Sequence, residues 1–172
     1  MRIPYPRLGC FGIDTSQGKD PLSESRLVSL APELAGEIER QNPTVLRAIA
    51  LNVSEWVIGE VGVVDERLDR GIAGLEGTVE IPSSLRSEIN VLWDELDVKA
   101  WDIQDLIEDG HATEGEYEAA FFKARAANAL WYALDPDRMI GTLECVYEAQ
   151  AATDIDAIRR IVWAVVETMK AT

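Results

Sequence analysis

From Ser23 onward, apolar residues recur every third or fourth position, the spacing that lines one face of an α-helix. Leu27, Leu30, Leu34 and Ile38 mark a first helix beginning near Ser23, which Pro32 should bend or split in two. Asn42 as N-cap and Pro43 in the first helical position open the next, carrying Val45, Leu46, Ile49, Val53, Trp56 and Val57 up to a stop at Gly62. Asp65 caps a short helix with Leu68, Ile72 and Leu75, ending at Gly77, and Thr78–Ile81 reads as an extended link.

Pro82 and Ser84 open a long helix that runs to about Asp109, with Gly110 as its stop. Thr113 and Glu116 stand at the two ends of a capping box, in which each side chain satisfies a backbone N–H beside the other. The helix that follows is apolar almost all round (Tyr117, Phe121, Phe122, Leu130, Trp131, Leu134), which places it at the centre of a bundle. Asp135-Pro136 suggests another cap, before the stripe Met139, Ile140, Leu143, Val146 and Tyr147. Asp154 caps the last helix, whose inward face is Ile155, Ile158, Ile161, Val162, Val165, Val166 and Met169.

Residues 1–22 break this pattern. Pro4, Pro6 and Pro21, with Gly9, Gly12 and Gly18, forbid a stable helix, leaving an extended or looped segment with room for a short strand at Leu8–Ile13. The expected architecture is all-α. An irregular segment, 1–22, precedes one domain, 23–172, of about six to seven mostly antiparallel helices joined by short connections. No internal repeat or interdomain linker interrupts it.

Composition narrows the class of function. A chain of 172 residues with 47% hydrophobic content suits one domain with a proper core. The net charge of −15 disfavours direct nucleic-acid binding, which runs on Lys and Arg, and disfavours anionic membrane surfaces too. The natural partner is cationic. Two cysteines, Cys10 and Cys145, form neither a disulfide framework nor a four-cysteine zinc site. The N-terminus lacks the long apolar core of a secretory signal, and the apolar run at Ile161–Val166 is far too short to span a bilayer. A cytoplasmic setting is expected.

The charge is concentrated. Eleven carboxylates and one base, Lys99, fall between Ser87 and Glu118, which is −10 of the total −15. On a continuous helix turning ~100° per residue, Ile89, Leu92, Leu96, Ala100, Ile103 and Ile107 share the stripe of Leu85. Asp94, Asp97, Asp105 and Glu108 gather on the opposite face, and Trp101 lands among them. Tryptophan is the residue most enriched at binding hot spots, and a rim of carboxylates steers a basic partner. The candidate partner-binding set is therefore Asp94, Asp97, Trp101, Asp105 and Glu108. Its alternative is a solvated acidic face, or a helix break near Asp97–Lys99 that turns Trp101 into the core.

Catalytic chemistry finds no matching pattern. His111, the single histidine, lies in a Gly110-His111-Ala112 turn whose neighbours form no recognisable catalytic arrangement, and one histidine cannot complete a ferritin-like di-iron site. Asp105–Glu116 has the length of an EF-hand loop, but Ile107 occupies the third position, where an oxygen ligand belongs. Neither a metal nor a cofactor is expected, and the chain reads as non-catalytic. Glu144 and Glu148 read as solvated-face residues, Cys145 as packed and inert, and Asn128 as a core amide with hydrogen-bond partners. Trp56, Trp93 and Trp131 are core candidates. Trp163 is off its stripe, exposed or stacked on Arg159.

In size, charge, helix content and absence of a catalytic set, with stretches such as ARAANALWYALDPD (124–137) and YEAQAATDIDAI (147–158), the chain resembles the small acidic all-helical immunity proteins of bacterial toxin systems. That resemblance implies tight, specific inhibition of one cognate toxin and carries over no individual site residue; the charge clustering around Trp101 points to a basic toxin, such as a nuclease, as that partner. The other class left open is a helical scaffold or adaptor whose acidic surface serves solubility.

Overall fold

A computed structural model describes residues 25–77 and 81–171. The looped segment 1–22, its strand at Leu8–Ile13, and most of the Thr78–Ile81 link lie outside the described residues. Within them the chain is all-α, with eight helices and no strand.

Pro32 divides the first helical region into α1 (Arg26–Leu30) and α2 (Pro32–Glu39), so the bundle has one helix more than the expected six to seven. Ser25 caps α1 by accepting from the Leu27 N–H. Leu27 is buried, whereas Leu30 faces solvent. Helix α3 (Pro43–Val61) starts as its sequence indicates, with Asn42 accepting from the N–H groups of Thr44 and Val45 and Pro43 behind it. It stops at Gly62 in the left-handed conformation, φ 64°. Asp65 caps α4 (Glu66–Glu76).

Helix α5 (Ser83–Glu108) runs without a break through Asp97–Lys99 and ends before Gly110, φ 76°. The Thr113–Glu116 capping box forms with both of its hydrogen bonds and opens α6 (Glu114–Ala133). Helix α7 (Arg138–Ala152) begins later than Asp135-Pro136 suggests. Asp137 is its cap, while the Asp135 carboxylate accepts from the Asp137 N–H at 2.8 Å and so shapes the turn before it. Asp154 caps α8 (Ile155–Lys170).

Helix α6 occupies the centre. Every residue from Ala124 to Leu130 is buried, and α6 packs on α3, α4, α5 and α7. Small side chains make that possible: Ala124, Ala126, Ala127 and Ala129 let neighbouring helices close on all sides. Helix α3 packs against α4, α6, α7 and α8, while α1 and α2 lie on α7. No helix among the described residues is long and apolar enough to cross a membrane.

The far half of the α5–α6 pair differs from the rest. From Trp101 to Lys123 no residue is buried, so this end is a helical hairpin whose apolar contacts come mainly from its own two helices. Tyr117 stacks on Phe121, with ring centroids 5.9 Å apart, and Phe121 meets Phe122 edge-on.

Candidate functional site

The continuity of α5 decides the position of Trp101. Because the helix keeps one register, the core stripe (Leu85, Ile89, Leu92, Ala100) is buried while Trp101 stays on the outer face, 37% exposed. Val91 and Val98 are exposed beside the acids of that face. An exposed indole flanked by aliphatic side chains within a carboxylate field is an amphipathic surface.

The carboxylates of α5 fall into two groups. Some are neutralised from within: Glu88 pairs with Arg70, and Glu95 with Arg67 at 3.1 Å. Arg70 holds the Glu88 carboxyl below its ordinary range. Others have no such partners. Asp94, Asp105 and Glu108 are exposed and make no ion pair among the described residues; Asp94 accepts only an Asn90 amide at 3.3 Å. Residues 101–118, the hairpin end, contain seven carboxylates and neither Lys nor Arg.

Asp97 stands apart from the other four candidates. Its Oδ1 accepts from Arg125 Nη2 at 2.7 Å and its Oδ2 accepts from the Trp101 indole Nε1 at 3.2 Å. Both oxygens are thus engaged inside the molecule, one across to α6 and one along α5.

Behind Arg125 lies a charge network that crosses four helices. Arg125 Nη1 donates to Glu148 Oε2 at 3.2 Å. The other oxygen of Glu148 accepts from Arg26 Nη2 at 2.6 Å. Arg26 also donates through Nε to Glu144 Oε2 at 2.8 Å, and Ser25 Oγ donates to Glu144 Oε1 at 3.1 Å. The rings of Tyr147 and Tyr132 lie 4.1 and 5.8 Å from the Arg26 guanidinium carbon, and Phe121 lies 5.0 Å from that of Arg125.

This corrects the solvated-face reading of Glu144 and Glu148, both of which are buried, Glu148 to 1% exposure. A carboxylate so placed is tolerated because two guanidiniums and a set of aromatic faces replace its hydration. Burial works against the charge on Arg26, but Glu148 and Glu144 outweigh it and hold its guanidinium above the ordinary range. Burial likewise pushes the Tyr132 phenol up.

Arg26 and Arg125 were not legible as members of a site. The available signal was Arg125 itself, a cation inside the apolar run 124–130, with Glu144 and Glu148 one turn apart on α7.

Cys145 is buried beside Ser54 Oγ at 3.4 Å, and burial pushes its thiol up to about 12, which makes it unreactive. Asn128 is buried, but among the described residues its Oδ1 accepts no hydrogen bond, contrary to the expected satisfied amide. Trp56, Trp93 and Trp131 pack partly buried against the core. Trp163 is exposed, and Arg159 pairs with Asp156 rather than with that ring. His111 is exposed in the turn. Among the described residues no group of three or more His, Cys, Asp or Glu side chains is arranged to hold a metal ion.

A shallow groove of about 250 Å³ runs along the hairpin between Lys99 and Lys123, floored by Leu96, Ile103, Ala119 and Ala120. It follows the core-side stripe of α5, away from Trp101. No protein-family model, no curated protein and no solved structure matches this chain.

Proposed function

We propose that this is a cytoplasmic, non-catalytic binding protein of the immunity type, which neutralises a cognate basic toxin domain by docking it on the outer face of α5. The observation that carries the reading is the unpaired acid of that face, Asp94, Asp105 and Glu108, around a half-exposed Trp101 on an unbroken helix. Carboxylates with no cation of their own repel one another, and a basic partner relieves that cost while the field steers its approach. Trp101 supplies the apolar anchor that charge alone lacks. The bacterial toxin context rests on the resemblance in size, charge and helix content, not on a shared motif.

Co-expression with the product of the adjacent gene tests the reading directly. Rescue of growth and a co-purifying complex support it; no rescue and no complex sink it. In the complex, reversing Asp94 and Asp105 to lysine slows association and flattens its salt dependence, and Trp101→Ala weakens binding by roughly 2 kcal/mol or more.

A second reading draws on a different observation. Glu88, Glu95 and Asp97 are already neutralised by Arg70, Arg67 and Arg125. That internal pairing suits a helical scaffold whose remaining acid serves solubility. It requires that the same charge reversals leave binding unchanged.

A further inference from the structure

We infer that Arg125 is a positioning residue for the α5 face, fixing the Trp101 indole through the two oxygens of Asp97. The inference rests on the docking reading for its purpose, but its geometry stands in the free protein.

A tryptophan on an exposed helix face ordinarily exchanges among rotamers, and a hydrogen bond to a carboxylate one turn away competes with water. Here the carboxylate is itself held. Asp97 Oδ1 is gripped by Arg125 Nη2 at 2.7 Å, which leaves Oδ2 aimed at the Trp101 Nε1–H at 3.2 Å. Arg125 has little freedom of its own. It is almost wholly buried, bonded to Glu148 at 3.2 Å, and its guanidinium carbon lies 5.0 Å from the Phe121 ring and 5.9 Å from the Trp93 ring. Glu148 is anchored in turn by Arg26 at 2.6 Å. The order of α1, α7 and α6 is thereby passed to one side chain on the surface of α5.

The assignment divides the candidate site. Asp94, Trp101, Asp105 and Glu108 are the contact residues, while Asp97 belongs with Arg125 and Glu148 as support. An anchor held in one rotamer loses less freedom when a partner closes over it, which gives the buried network a role in affinity as well as in folding.

The test uses the full chain labelled with 5-fluorotryptophan, with the Trp101 resonance among the five tryptophans assigned by its loss in Trp101→Phe. Asp97→Ala moves that resonance and speeds exchange of the Trp101 indole N–H by roughly twofold to tenfold, the range for one lost hydrogen bond. Arg125→Lys, at a residue whose hydrogen bonds lead to Trp101 through Asp97, shifts the same resonance in the same direction. In an Asp97→Ala background Arg125→Lys adds nothing at Trp101.

An unchanged Trp101 resonance and exchange rate in folded Arg125→Lys would overturn the inference, as would a shift that persists without Asp97. If Arg125→Lys does not fold, Asp97→Ala decides alone, since Asp97 is partly exposed and unaltered indole exchange there removes the link. No partner is present in these measurements, so their failure leaves the docking reading standing. A complex indifferent to Trp101→Ala removes the docking reading and leaves the positioning intact.

Discussion

Arg125 of α6 reaches Glu148 of α7 at 3.2 Å, and the carboxylate it meets has almost no contact with solvent. The pair joins the central helix to its neighbour by charge, next to the buried alanines of α6. Removing Glu148 takes one carboxylate from each of two guanidiniums, leaving Arg125 with Asp97 alone and Arg26 with Glu144 alone, and breaking a buried ion pair in this way costs more than the intact pair contributes.

Glu148→Gln is therefore expected to destabilise the fold by about 3 kcal/mol, because two guanidiniums then face a neutral amide. Arg26→Met should cost less, since Arg26 is about one-third exposed and Arg125 still neutralises Glu148. Urea denaturation monitored by circular dichroism measures both. Equal losses, or no loss in Glu148→Gln, would show that the network is not organised around Glu148.

Two helical glycines are expected to respond in opposite directions. A Cβ on Gly141 would stand 2.6 Å from the Tyr132 carbonyl oxygen and 2.9 Å from Asp135 Cβ, where backbone cannot yield. Gly141→Ala should destabilise by roughly 1–3 kcal/mol through forced separation of α7 from the end of α6. A Cβ on Gly59 of α3 meets nothing within 4 Å. Gly59→Ala should stabilise by about 0.5–1 kcal/mol, the ordinary gain of alanine over glycine within a helix. Thermal melts of the two variants check the contrast, and a stabilised Gly141→Ala would mean that α6 and α7 do not approach as described.

Acid should loosen helix starts first. Hydrogen bonds from Thr113 hold the Glu116 carboxyl below its ordinary value of 4.5, and Arg67 holds Asp65 below 3.8. A depressed folded-state pKa means that the unfolded chain binds the proton more readily. The stabilisation is then complete above the ordinary value and is lost as pH falls from there through the lower folded value. Stability should accordingly decline below about pH 4.5, and Glu116→Gln should flatten part of that decline. Denaturant midpoints of wild type and variant between pH 3 and 7 decide it; parallel profiles for the two would exclude the capping box as a contributor.

Much of the helical architecture is legible residue by residue. Asn42-Pro43, Asp65, Thr113 with Glu116, and Asp154 each place a helix start through a side chain and an N–H two or three positions away. Asp135-Pro136 misleads for a local reason: two aspartates compete for the same turn, and Asp137 takes the cap while Asp135 braces it and binds Arg86. The outward position of Trp101 is also legible, given a helix without a break. The role of Asp97 is not, because helical angle distinguishes the outer face from the core but says nothing of which cation stands alongside.

The all-α class, most helix boundaries, the central place of α6 and the concentration of acid on α5 follow from residue order alone, because periodicity and capping act over one or two turns. Which charges are neutralised inside the molecule depends instead on how the helices pack. Arg26 meets Glu148 across 122 positions and Arg125 meets Asp97 across 28. Such pairs form where helices cross, and the crossing is set by the whole core rather than by any segment that contributes to it.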